Sequence, residues 1–169
     1  MEKNYALITG GSSGIGFEIA KDLANRGYNI ILVSRNEQNL QDCCKYLSEE
    51  FNVSSDYISS DLANKESVRH IYQTTKERGY NIEILINNAG YGIASPFHET
   101  SLEDEEKFVR VLATSVISLT KLFVRDMVEK KAGKIMIVSS VAAFAPPSAI
   151  QVLYGPIKTF MNRFSDSMN

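Results

Sequence analysis

Thr9-Gly10-Gly11-Ser12-Ser13-Gly14-Ile15-Gly16 is the stretch on which the fold turns. The apolar run before it, Tyr5-Ala6-Leu7-Ile8, reads as a buried strand. After it, Ile15, Ile19 and Leu23 recur four residues apart with Ala20 and Ala24 beside them, the pattern of an apolar helix face. Strand, glycine turn and helix in this order are the setting of a dinucleotide-binding fingerprint. Glycine permits backbone conformations and close approaches that a Cβ blocks. The free amides and the dipole at a helix start then suit a pyrophosphate. Gly10, Ser12, Ser13, Gly14, Ile15 and Gly16 are therefore candidate cofactor-binding residues. The competing reading is a tight turn whose glycines serve packing alone.

A chain of 169 residues predicts one domain, 1–169, with room for a real core. With 44% apolar and 22% charged residues, it has the composition of a soluble globular protein. The net charge of −2, with no basic block, argues against a nucleic-acid partner. No run approaches a membrane span and no leader opens the chain, so the expected location is cytoplasmic, with no membrane partner. Cys43 and Cys44 are adjacent, which suits neither an ordinary disulfide nor a metal site. Set between Leu40 and Leu47, at least one of them reads as a core residue. No metal site is expected.

Further on, strands are predicted at 29–33, 56–59, 82–86 and 134–139. Helices are predicted at 37–50, 65–78, 101–130 and from Tyr154 onward. Gly27 reads as a helix stop, and Gly133 as the stop of the long helix. Ser101, followed by Glu103, Asp104 and Glu105, opens that helix. Strands alternating with helices give right-handed crossovers and an α/β, doubly wound parallel sheet.

Three motifs stand in register: Thr9-Gly10-x-x-x-Gly14-x-Gly16, Asn87-Asn88-Ala89-Gly90 and Tyr154-x-x-x-Lys158. In this order and at these separations the chain resembles the short-chain dehydrogenases/reductases, and Asn87 to Gly92 resembles an NADP-dependent branch of them. The resemblance implies a Rossmann-type sheet of order 3-2-1-4-5. It also implies hydride transfer between NADP(H) and a small-molecule alcohol or carbonyl substrate.

At the end of the second strand, Ser34-Arg35 carries no carboxylate to meet the ribose of NAD, and Arg35 offers planar donors to a 2′-phosphate. NADP(H) is therefore favoured over NAD(H); a solvated strand-end arginine is the alternative. By resemblance, Asp61 and Leu62 hold the adenine, and Asn87, Ala89 and Gly90 line the ribose and nicotinamide. Tyr154 and Lys158 lie four apart, on one helical face. A free tyrosine has a pKa of ~10, and lowering it by ~3 units takes ~4 kcal/mol of interaction. Lys158 can supply part of that while binding the nicotinamide ribose, leaving Tyr154 as acid or base. The resemblance also asks for a serine to hold the reacting oxygen. Ser140 is the first choice and Ser139 the second.

Two departures from the family qualify this reading. Tyr154 follows Ser140 by one residue more than usual, and Leu112 stands where the family has an asparagine that holds a water beside the lysine. The sequence ends in Phe164-Ser165-Asp166-Ser167-Met168-Asn169 within a helical pattern, without the Pro-Gly turn and last strands of the family. The expectation is thus a C-terminally truncated member with little activity, an open edge on its fifth strand, and homo-oligomer contacts through the helices after Ser101 and Tyr154. A cofactor-binding or structural fragment without turnover is the competing functional reading.

Overall fold

The computed structural model describes residues 4–168. Five strands form one parallel sheet in the order β3-β2-β1-β4-β5. They are β1 (Asn4–Thr9), β2 (Asn29–Ser34), β3 (Ser55–Ser59), β4 (Asn81–Asn87) and β5 (Lys134–Ile137). Between them run α1 (Gly14–Asn25), α2 (Glu37–Phe51), α3 (Ser67–Glu77), then α4 (Leu102–Val109) continuing into α5 (Ser115–Lys130). α6 (Tyr154–Asp166) follows β5.

β1 and β2 are apolar and buried nearly throughout, as strands covered on both faces must be. Successive side chains go to opposite sides. Ala6, Ile8, Ile30, Leu32, Ile84 and Ile86 meet α1 and α2 through Ala20, Ala24, Leu40 and Leu47. Leu7, Ile31, Val33, Ile58 and Leu85 meet the other layer through Ile71, Phe108, Leu119, Phe123 and Met161. Two cores thus sandwich one sheet. The expected alternation and strand order hold, and Cys44 is the buried cysteine.

Three local expectations are corrected. α1 buries Gly16, Ala20 and Ala24, whereas Ile15 is 64% exposed and lies at the mouth of the cleft described below. The long helix is not continuous α: Arg110–Thr114 form a π turn between α4 and α5. Gly133 does not stop it, because Lys131 takes the left-handed conformation, with φ of 53°. A Cβ on Gly133 would stand 2.3 Å from Met127 Cγ, so that glycine serves a close approach. Ser101 does cap α4, its hydroxyl accepting the Asp104 N–H at 3.1 Å. β5 is an edge strand of this sheet, with Met136 47% exposed. Among the described residues no helix is long and apolar enough to cross a membrane, and no cluster of His, Cys, Asp and Glu could hold a metal.

Candidate active site

The order β3-β2-β1-β4-β5 reverses direction between β1 and β4, and α/β sheets bind ligands beyond the carboxyl ends of their strands at such a point. The strand ends here are tied together first. Thr9 Oγ1 donates to the Ile86 carbonyl at 3.3 Å and accepts the N–H groups of Asn88 and Ala89 at 3.0 and 3.1 Å. Asn88 Nδ2 donates to the carbonyls of Thr9 and Gly10 at 3.0 and 3.1 Å. The Gly10 N–H bonds the Val33 carbonyl at 2.8 Å, and the Val138 N–H bonds the Asn87 carbonyl at 2.9 Å. The loops after β1, β4 and β5 therefore rise from one rigid base.

Above that base lies a cleft of about 810 Å³. Gly10, Ser12, Ser13 and Ile15 form one wall, and Arg35, Asp61 and Leu62 form the far end. Ala89, Gly90, Tyr154 and Lys158 close the near side. Residues from all three sequence motifs thus meet in one cavity. Gly14 has φ of +52° and no atom within 4 Å of where its Cβ would be. Gly16 sits behind the wall, where a Cβ would fall 2.4 Å from both Asn88 Nδ2 and the Gly10 carbonyl oxygen. The start of α1 carries no side-chain cap and no acid in its first turn, unlike α2 with Asn36 and Glu37, or α4 with Ser101 and three acids. An uncapped, uncompensated helix start is free for an anion. The buried Ser34 Oγ, on the cleft wall beside Arg35, also has no hydrogen-bond partner. These features fit a dinucleotide.

Asn87 is placed differently from its neighbours. It is 3% exposed and donates through Nδ2 to Thr120 Oγ1 at 3.1 Å, so it braces β4 against α5 beneath the cleft, and Asn88 lines the cavity instead. Asp61 Oδ1 accepts the Ala63 N–H at 2.9 Å, which holds the turn after β3. Lys107 and Val111, four apart across the start of the π turn, line the cleft too. Sequence reading passed over them because nothing in the α4 pattern marks which face turns inward.

Lys158 is 6% exposed, and its ammonium donates to the Val138 carbonyl at 2.8 Å. Burial pushes its pKa below the ordinary 10.5. Its Nζ lies 5.7 Å from the centroid of the Tyr154 ring. The Tyr154 ring also stands 6.4 Å from that of the buried Phe108. The two serines divide. Ser139 lines the cavity, but its hydroxyl donates to the Lys158 carbonyl at 3.4 Å. Ser140 caps the 3-10 turn Val141–Ala143, its Oγ accepting the Ala142 N–H at 3.1 Å, and it is not part of the cavity lining. Leu112 is buried, with its Cγ 3.7 Å from where a Gly90 Cβ would be, and presents no polar atom near Lys158.

The sequence profile of the short chain dehydrogenase family matches residues 4–169, nearly the whole chain. The chain belongs to the short-chain dehydrogenase family. It is 32% identical to a very-long-chain 3-oxoacyl-CoA reductase of Bos taurus over 98% of this chain and 53% of that protein. The chain spans about half the length of the curated relatives it matches. Among solved structures, it superposes with a TM-score of 0.92 on a bulky-bulky ketone specific alcohol dehydrogenase from Comamonas testosteroni. That pair shares 31% identity over 100% of this chain and 67% of the other. A short-chain dehydrogenase from Sphingobium yanoikuyae, solved in complex with NADPH, matches with a TM-score of 0.91 and 30% identity, over 99% and 64% of the two chains.

Proposed function

We propose that this short-chain dehydrogenase interconverts an alcohol and a carbonyl compound with NADP(H). The observation that carries the reading is the single cleft shared by the glycine turn, Arg35, Tyr154 and Lys158. Amides of residues 12–16 and the α1 dipole suit the pyrophosphate. Arg35 and the unpartnered Ser34 hydroxyl suit a 2′-phosphate, which favours NADP(H) over NAD(H). Leu62 offers an apolar surface and Asp61 an acceptor for adenine, while Ala89 and Gly90 allow close backbone approach. When bound, the nicotinamide supplies or accepts the hydride.

The chain's own residues handle the proton. Tyr154 donates it to the carbonyl oxygen in reduction and removes it in oxidation. Lys158 stands beside Tyr154, with Nζ 5.7 Å from the centroid of the tyrosine ring. Its bond to the Val138 carbonyl holds it in place while leaving two of its three donors unspent. For the serine, donor accounting favours one of the two. A hydroxyl has one proton to give. Ser139 spends its proton on the Lys158 carbonyl, whereas Ser140 uses only a lone pair and keeps its proton for a substrate oxygen. Ser140 is the assignment this supports, despite its place outside the cavity lining. Exposed apolar residues on the helices after Ser101 and Tyr154, among them Ile117, Val128 and Phe160, fit a homo-oligomer seam.

The test is to mix the purified chain with NADPH and a panel of ketones and aldehydes and follow loss of the reduced cofactor. Turnover is expected, abolished by Tyr154→Phe with cofactor affinity retained. Oxidation of NADPH that continues at the native rate in Tyr154→Phe sinks the assignment. Absence of oxidation with every carbonyl, despite tight NADPH binding, returns the chain to the reading of a fragment without turnover.

A further inference from the structure

Among the described residues, four charged side chains line the cofactor cleft. Lys158 is on the near side, held on the Val138 carbonyl at 2.8 Å. Arg35 and Asp61 stand at the far end, where their charges offset each other. Lys107 is the fourth, and it has no part in the proton transfer. Arg35 follows β2, whereas Lys107 lies on α4, one turn before Val111, which lines the same cleft. The two cations nevertheless act on one point, the phenol of Tyr91. Burial raises the Tyr91 pKa, and Asp104, Arg35, Asp61 and Lys107 all stand near enough for their charges to act on it too. The Tyr91 ring packs edge-on against that of the buried Phe108, with centroids 5.2 Å apart. Lys107 Nζ lies 2.7 Å from a carboxylate oxygen of Glu103, and the two side chains are 46% and 75% exposed. An exposed pair four residues apart on a helix contributes little and exchanges easily. Asp104, the next acid of that turn, is already engaged, accepting the Ser101 hydroxyl at 2.7 Å.

We infer that Lys107 is a second cation for the 2′-phosphate of NADP(H), supplied from the α4 side of the cleft, and that Glu103 competes with the phosphate for it. The inference rests on the NADP(H) reading of the cleft and adds to it a residue and its rival. A phosphate monoester carries a charge of about −1.5 to −2 near neutral pH. Arg35, with Asp61 beside it, matches only part of that charge. The buried, unpartnered Ser34 hydroxyl adds a donor but no charge. Lys107 supplies the missing cation, and its flexible four-carbon stem lets the ammonium turn from Glu103 without a shift of the backbone. Adenine is uncharged, so the phosphate is the stronger partner for an ammonium. Glu103 opposes the anion twice, by holding Lys107 and by its own like charge.

The test compares adenosine 2′,5′-bisphosphate with adenosine 5′-monophosphate, which differ only in the 2′-phosphate, by calorimetric titration at fixed salt. Lys107→Met should weaken the bisphosphate about fivefold and the monophosphate by less than about twofold. Lys107→Arg keeps the cation and should restore the native preference. Glu103→Gln should strengthen the bisphosphate about two- to threefold and leave the monophosphate unchanged. A Lys107→Met variant that keeps the native preference overturns the inference. So does one that weakens both compounds equally, as loss of an adenine contact would, or a Glu103→Gln variant that binds both as the native chain does. Arg35→Ala separates this from failure of the NADP(H) reading. If the preference is lost in Arg35→Ala and kept in Lys107→Met, the reading stands and the role of Lys107 falls. If the native chain binds the two compounds alike and Arg35→Ala changes neither, the reading and the inference fall together.

Discussion

Replacing Gly16 with alanine tests whether the glycine turn is a packed junction or only a flexible loop. The new Cβ would stand 2.4 Å from Asn88 Nδ2 and 2.4 Å from the Gly10 carbonyl oxygen. Asn88 can swing away, but it then gives up its bonds to the Thr9 and Gly10 carbonyls, which join the ends of β1 and β4. Two bonds at about 1 kcal/mol each give about 2 kcal/mol. The contact with the Gly10 carbonyl is backbone on backbone and adds about 1–3 kcal/mol of overpacking. Alanine returns about 1 kcal/mol through its better helix propensity. The net expectation is a loss of about 2–4 kcal/mol. Urea unfolding followed by circular dichroism reads it as a lower midpoint at unchanged slope. Because the Gly10 backbone must move, NADPH affinity should fall with it. A variant within about 0.5 kcal/mol of native, the range of ordinary surface changes, refutes the reasoning.

Arg35→Ala should weaken NADPH about 10–100-fold and NADH by less than about twofold, the value of a charge-assisted bond to the phosphate; equal losses for both cofactors, measured by fluorescence titration, refute the assignment. Burial depresses the Lys158 pKa below 10.5, so its ammonium and the contacts it makes are lost as pH rises through that lowered value. NADPH affinity should therefore fall below pH 10.5 in the native chain and hold to higher pH in Lys158→Arg, whose guanidinium stays charged; parallel pH profiles for the two contradict it. Burial raises the Cys44 thiol from 9.0 to about 11. The folded state therefore holds that proton where the unfolded state has lost it, and stability falls as pH climbs from about 9 to about 11, by no more than about 2 kcal/mol. Cys44→Ala should flatten that part of the stability profile, and an unchanged alkaline slope in the variant counts against it.

The fold was legible because each signal was local and physical. Apolar runs too short for helices gave the strands, and the alternation with amphipathic helices required parallel crossovers. The three motifs also proved to share one cavity, since the sheet order itself brings the ends of β1, β2, β4 and the start of α6 together. What sequence could not supply was the division of labour within a motif. Asn87 and Asn88 are adjacent, yet strand alternation sends one into the core against Thr120 and leaves the other at the cleft. Ser139 and Ser140 differ in the same way, and only their partners tell which keeps a proton to give. Ile15 fits the helical period of α1 but lies on its open end, where the period carries no information about what covers it.

The π turn is a backbone feature absent from the expected elements, although its trace is present in the spacing. Phe108, Leu112, Val116 and Thr120 are all buried, each exactly one step of four from the last. At 3.6 residues per turn, four residues advance about 400°, so each step overshoots a full turn by about 40°. Three such steps would swing the face by about 120°, carrying either Phe108 or Thr120 off the core. One extra residue in a wider turn absorbs about 100° of that drift. Val111, Ser115 and Leu119 are buried as well, so the face as a whole keeps an ordinary helical period, and the π turn at Arg110–Thr114 takes up the drift of the four-residue row with no proline or glycine in it. The same correction keeps Lys107 and Val111 together on the cleft and seats Leu112 against Gly90, beneath the loop that the cofactor approaches. The segment thus meets the core through Phe108 and Leu112 and the cleft through Lys107 and Val111.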